Sequence, residues 1–359
     1  MKSINSTGER LPLSGVVISG PPSRSFPASS PFSPGIIESK TASPWTLSPL
    51  LLAALCIVNA FLPEFSTRYA WVPFLASLFF LGMPHGASDF ARMGDFFGAH
   101  DWKNRCLFFS LYLFGMGLVL LLSLIAPGLS LLGFVAISVW HFGRSDLYPA
   151  RGTVPSFLRL ASRGMMLLSL PIAAQPEPVQ NLVDGWMSIL GNEALSEMAW
   201  TRVTSTAPVI AGISIISSIL IIALFGLCRD FASFRRELLE TAVLVTMLIL
   251  LNPVFALGAY FLLWHSLRHL KIQSGREVFS FNRLRELCGL DPRRAILFIP
   301  TVAAYVVLSF VLFDSWKPDL QVALLLIFFA VVTPSHEILH AIIQRSRSRA
   351  GNRVLSVLS

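Results

Sequence analysis

Charge is what this sequence has least of. Asp, Glu, Lys and Arg make up 13% of its 359 residues, against about a quarter in soluble domains. So few charges cannot cover a water-facing surface, which argues against an ordinary soluble domain and leaves a bilayer as the simplest solvent. Cysteine is scarce as well. Cys56, Cys106, Cys228 and Cys288 form no CxxC pair, so they read as packing or inert thiols and not as a zinc site or a disulfide framework. No Walker loop, dinucleotide fingerprint or internal repeat is present.

What is there is apolar. Hydrophobic residues reach 54% and the mean hydropathy is +0.66. Residues 1–45 are the exception. Rich in Ser, Pro and Gly, they cannot bury a core and are expected to form a disordered tail. Apolar runs follow at about 46–62, 69–84, 106–126, 129–142, 156–174, 207–227, 239–252, 254–269, 295–313 and 320–342. The expected fold is all-α, a polytopic transmembrane helical bundle of about 8–10 helices spanning 46–343, with a basic cytoplasmic tail at 344–359. Asn252-Pro253 marks a turn between two runs, because the residue before proline disfavours helix.

The net charge of +8 is distributed as membrane topology requires and not as a nucleic-acid patch. With ten crossings and the N-terminus inside, only Arg68, Arg202 and Lys317 of the 28 basic residues fall outside. The largest outside segment, about 175–206, is acidic, with Glu177, Asp184, Glu193 and Glu197. The positive-inside rule thus places both termini in the cytoplasm, with the lipid bilayer of the cell (inner) membrane as the solvent.

The same topology aligns the histidines. His85, His141, His265, His269, His336 and His340 fall at the inner ends of runs that all travel from outside to inside; His100 sits in a loop. An imidazole in a membrane helix is costly and needs a partner. His265/His269 and His336/His340 are i,i+4 pairs, each facing one side of a helix. A lone membrane histidine is commonly a hydrogen-bonded or interfacial residue, but this shared depth points to a metal, for which imidazole suits Fe, Zn, Cu and Ni. Asp89, four residues after His85, is placed either to orient an imidazole or to cap a helix. Trp140 and Trp264, beside histidines, read first as interfacial anchors. Pro334 is expected to kink or break the last helix, and Glu337 to be a metal ligand or a solvated charge, the second being favoured.

Four segments carry a family likeness: Pro84-His85-Gly86-x-x-Asp89, Trp140-His141-Phe142-Gly143, His265-Ser266-x-x-His269 and Thr333-Pro334-Ser335-His336. Together, and in this order, they resemble the Brp/Blh family of membrane β-carotene 15,15′-dioxygenases. In the last segment a serine stands between proline and histidine, where the family has them adjacent. The resemblance implies a catalytic membrane domain in which His85, His141, His265 and His269 hold ferrous iron, Fe(2+). Asp89, His336 and His340 would be supporting residues around it. It further implies O2 and a carotenoid as substrates, cleavage of the central double bond, and retinal as product.

Other readings predict different observations. A membrane di-iron hydroxylase or desaturase uses HxxHH boxes, and this chain has no adjacent histidine pair. A bis-histidine haem protein would show a Soret band. A transporter with a histidine proton relay would show flux without metal. A non-enzymatic partner of a retinal protein would show no chemistry of its own.

Overall fold

The computed structural model describes residues 44–80, 102–145, 154–268, 292–313 and 317–358. The sequence-predicted tail at 1–45 lies almost wholly outside these residues, as do His85, Asp89, His100, His269 and Cys288. Among the described residues every regular element is helical. The helices are α1 (Pro44–Phe61), α2 (Phe65–Arg68), α3 (Val72–Phe79), α4 (Trp102–Ile125), α5 (Pro127–Ser145) and α6 (Ser156–Ala174). Next come α7 (Pro176–Ile189), α8 (Glu197–Leu227), α9 (Phe231–Leu250) and α10 (Pro253–Ala259), which continues into a π-helical segment (Tyr260–Ser266). Then follow α11 (Pro292–Leu312) and α12 (Pro318–Leu358).

Four stretches are long and apolar enough to cross a membrane: Cys106–Ile125, Ser156–Ala174, Glu197–Leu227 and Pro318–Leu339; Leu47–Phe61 and Ile299–Leu312 are shorter apolar helices. The chain is an all-α polytopic bundle. Large apolar side chains such as Phe114, Ile125, Phe310 and Val311 are strongly exposed, as suits a lipid solvent.

Two departures from the sequence reading matter. The segment expected as an acidic loop, about 175–206, instead contains α7 and the first turns of α8. Its periodicity explains this. Val179, Leu182, Val183 and Trp186 recur at i, i+3, i+4 and i+7, an apolar stripe that packs inward. At 14 residues it is too short to span a bilayer, so a hydropathy reading passes over it. Pro334, expected to kink or break the last helix, does not break it: it lies within α12. Neighbouring hydroxyls make proline tolerable in membrane helices: Thr333 Oγ1 donates to the Phe329 carbonyl (2.6 Å) and Ser335 Oγ to that of Tyr112 (3.2 Å).

Helix association in lipid relies on close packing and interhelical hydrogen bonds, because lipid is as apolar as the side chains. The α5–α6 crossing is the tightest case. A Cβ on Gly143 would stand 2.3 Å from the Leu160 carbonyl oxygen, and one on Gly164 would stand 2.1 Å from that of Val139. Only glycine fits at either point, so the backbones meet directly beside His141. Between α6 and α9 the glue is ionic. Glu237 accepts from Arg159 and from Arg163 (2.8 Å), and Glu240 from Arg163 (3.5 Å) and from Arg268 (2.9 Å), all of them buried. The sequence reading counted these three arginines as cytoplasmic-side charge. They are paired inside the protein, where each carboxylate offsets the desolvation of its partners.

Hydrogen bonds also fix the entry to α10. Asn59 Oδ1 accepts from Ser66 N (3.1 Å), Ser66 Oγ from Asn252 N (3.0 Å), and Asn252 Oδ1 caps Val254 N (2.9 Å). Pro253 then starts the helix as its first residue, in line with the turn predicted there. Cys56 is buried, Cys106 partly buried and Cys228 exposed, each a free thiol.

Candidate active site

Three of the described helical stretches deliver one histidine each to one place. His141 comes from the last turns of α5, His265 from the π segment and His336 from α12. All three are buried. Nε2 of His141 lies 3.2 Å from Nε2 of His265. The His141 ring centroid is 4.9 Å from that of His265 and 5.6 Å from that of His336.

The π segment has a local cause. It carries two successive ring pairs at i,i+4: Tyr260 stacks with Trp264 (6.2 Å) and Phe261 with His265 (5.7 Å). The wider i→i+5 turn accommodates these stacked rings, and such turns concentrate at functional sites. Trp264, expected at the membrane interface, is 0% exposed, with the Arg268 guanidinium 3.7 Å over its ring. That cation is in turn held by Glu240 in a two-toothed pair. The turn bearing His265 is therefore clamped from behind. Trp140, by contrast, is 44% exposed and keeps its outward-facing reading.

Glu337 corrects the expectation of a solvated charge. Its side chain is mostly buried. His141 Nδ1–H donates to Glu337 Oε1 at 2.6 Å, and Arg144 Nη1 donates to Oε2 at 3.5 Å. A carboxylate on Nδ1 fixes the proton there and leaves the Nε2 lone pair bare. The sequence did contain a signal. Glu337 is an ionisable residue inside the apolar stretch Pro318–Leu339, and such residues mark functional sites.

Donor atoms of His141, His336 and Glu337 lie within 4.8 Å of one another. Glu337, however, occupies the Nδ1 side of His141, while His265 faces the Nε2 side. One ion cannot use both edges of a ring. A metal shared by His141 and His265 would therefore lie on the Nε2 side, with Glu337 left to orient His141. Two nitrogens bound at right angles, each about 2.1 Å from an ion, lie about 3 Å apart, which the 3.2 Å separation matches. His340 shares α12 with His336.

The histidines open onto a cavity of about 520 Å³. Its wall is almost wholly apolar, with Phe74, Phe134, Trp186, Trp200, Phe261 and Phe329 among the lining side chains. Trp186 stacks on Phe134 at 5.7 Å. Phe142 turns its edge to His265 at 5.0 Å. Such a lining suits an apolar ligand, with the imidazoles among its few polar groups.

A family model described as beta-carotene 15,15'-dioxygenase matches residues 76–344. The chain is 27% identical over 314 residues to the probable beta-carotene 15,15'-dioxygenase Blh of Halobacterium salinarum, covering 79% of this chain and 87% of that protein. No solved structure matches.

Proposed function

The chain belongs to the beta-carotene 15,15'-dioxygenase family, and from that premise we propose that it cleaves β-carotene or a close relative with O2. The bond cut is the central double bond. Both atoms of O2 end in product, one in each aldehyde, so β-carotene gives two molecules of retinal. The observation that carries this reading is the meeting of His141, His265 and His336 at the wall of an apolar cavity within a membrane bundle. A carotenoid dissolves in the bilayer, so the substrate and the enzyme share a solvent.

The reading includes Fe(2+). His141 and His265 would hold it, with His85 and His269 joining them as the family resemblance implies. The proximity of His336 to His141 makes it a further candidate ligand. Neutral imidazoles suit iron and leave room for other ligands. When bound, the iron supplies activation of O2 for insertion across a C=C bond. The chain's own residues do the rest. Glu337 holds the His141 proton at Nδ1. Phe142 and Phe261 fix the His265 ring by edge and face. The apolar wall excludes water and aligns the polyene. The orientation proposed is the inner membrane with both termini cytoplasmic.

Expression in a β-carotene-accumulating bacterium tests this. Extracts should contain retinal, and the purified protein one iron per chain. His265→Ala should lose both while still inserting in the membrane. Retinal and iron retained in that variant would overturn the assignment, and two irons per chain would favour a di-iron enzyme.

A further inference from the structure

The cavity beside the histidines is only partly enclosed. Leu132 and Val135 of α5 line it and are at the same time 67% and 41% exposed. A Cβ on Gly128, which lines the same stretch, meets nothing within 4 Å. The first half of α5 is therefore where the cavity meets its surroundings, about 9–14 Å along the helix from His141 at 1.5 Å per residue. Those surroundings have the chemistry of lipid. From Leu129 to Trp140, both exposed, α5 carries no Asp, Glu, Lys or Arg. Helix register gives the depth. Gly143 abuts Leu160 and Gly164 abuts Val139, so α5 and α6 are antiparallel, and continuing the register sets Leu132 level with Pro171 and Val135 level with Leu168. Pro171 and Leu168 line the cavity too, and both lie within the membrane-crossing stretch Ser156–Ala174.

We infer that the stretch of α5 bearing Gly128, Leu132 and Val135 is a lateral mouth, through which a long apolar ligand passes sideways between the hydrocarbon of the bilayer and the histidines. The inference rests on the carotenoid reading above: the occupant is the carotenoid on the way in and the shorter aldehyde on the way out. Moving apolar surface into water is unfavourable. A mouth at membrane depth spares the polyene that step, because acyl chains outside and the apolar lining inside form one continuous solvent for it. The same opening admits little else, since a charged or strongly hydrated ligand would have to cross lipid to reach it.

Variants of opposite size test the mouth. Gly128→Phe and Val135→Phe fill it, and Leu132→Ala widens it. Val311→Phe adds bulk at an exposed position of α11 that does not line the cavity. Each iron-loaded protein in detergent micelles is mixed rapidly with β-carotene in the absence of O2, and entry is followed by quenching of tryptophan fluorescence. Release is followed on dilution into carotenoid-free micelles. A mouth sets how fast a ligand crosses and not how tightly it is held, so association and release should both slow about tenfold in the two Phe variants, at unchanged affinity. Both should quicken in Leu132→Ala and keep their wild-type values in Val311→Phe. Wild-type rates in both mouth-filling variants, or weaker binding at an unchanged association rate, would overturn the mouth and leave the dioxygenase reading intact. No retinal from the wild type once O2 is admitted would overturn that reading and the mouth with it.

Discussion

At His141 the two ring nitrogens have different neighbours, and the difference sets the ring's chemistry. Nδ1 faces a carboxylate and Nε2 faces another imidazole. Glu337→Gln keeps the shape of the side chain but removes the charge that holds the proton on Nδ1. Partners of this kind typically contribute about 10–100-fold to metal affinity or activity. Iron affinity, measured by competition with a chelator, should fall by a factor in that range, and retinal output should fall with it. Unchanged affinity would show that Glu337 does not orient the ring. Topology put His141, His265 and His336 alike at one depth in the sequence, and only the family resemblance set the first two apart as ligands. His336 was legible only as a supporting residue, and Glu337 was read as solvated. Which edge of a ring a neighbour occupies depends on how α5 meets α12, and no spacing along the chain encodes that.

Among the elements, the α5–α6 crossing and the π segment hold the site in shape. Gly164 is pressed against the Val139 backbone, and no side chain can be added there without parting the helices. Overpacking of this kind costs about 1–3 kcal/mol, so Gly164→Leu should lower the melting temperature of the detergent-purified protein by several degrees and weaken iron retention. A variant as stable as wild type would mean that the crossing is slack. The run predicted at 254–269 corresponds to α10 with the π segment, and those at 156–174 and 320–342 coincide with α6 and the apolar part of α12. Helix α7 escaped because length and hydropathy were the criteria. Its apolar stripe at Val179, Leu182, Val183 and Trp186 was visible all along as a helical period.

For the whole molecule, composition alone implied the bundle: with so little charge and so many apolar runs, no other solvent serves. Orientation is a separate matter. Arg159, Arg163 and Arg268 are paired with Glu237 and Glu240, whose two negative charges offset two of the three positive ones, so they contribute less to the inside charge than a count of basic residues suggests. The proposed topology still puts the remaining excess inside. A reporter that fluoresces only in the cytoplasm, fused after Ser359, should be bright, and a periplasm-dependent phosphatase at the same point should be inactive. The reverse pattern would invert the topology and put the histidines at the outer face.

The ionic cluster has a consequence for how the protein is made. Arg163 leaves the ribosome 74 residues ahead of Glu237, and until that acid arrives nothing from α9 can balance it. A lone guanidinium deep in lipid costs about 3 kcal/mol. The nascent α6 therefore carries that cost until α9 brings its counter-charge.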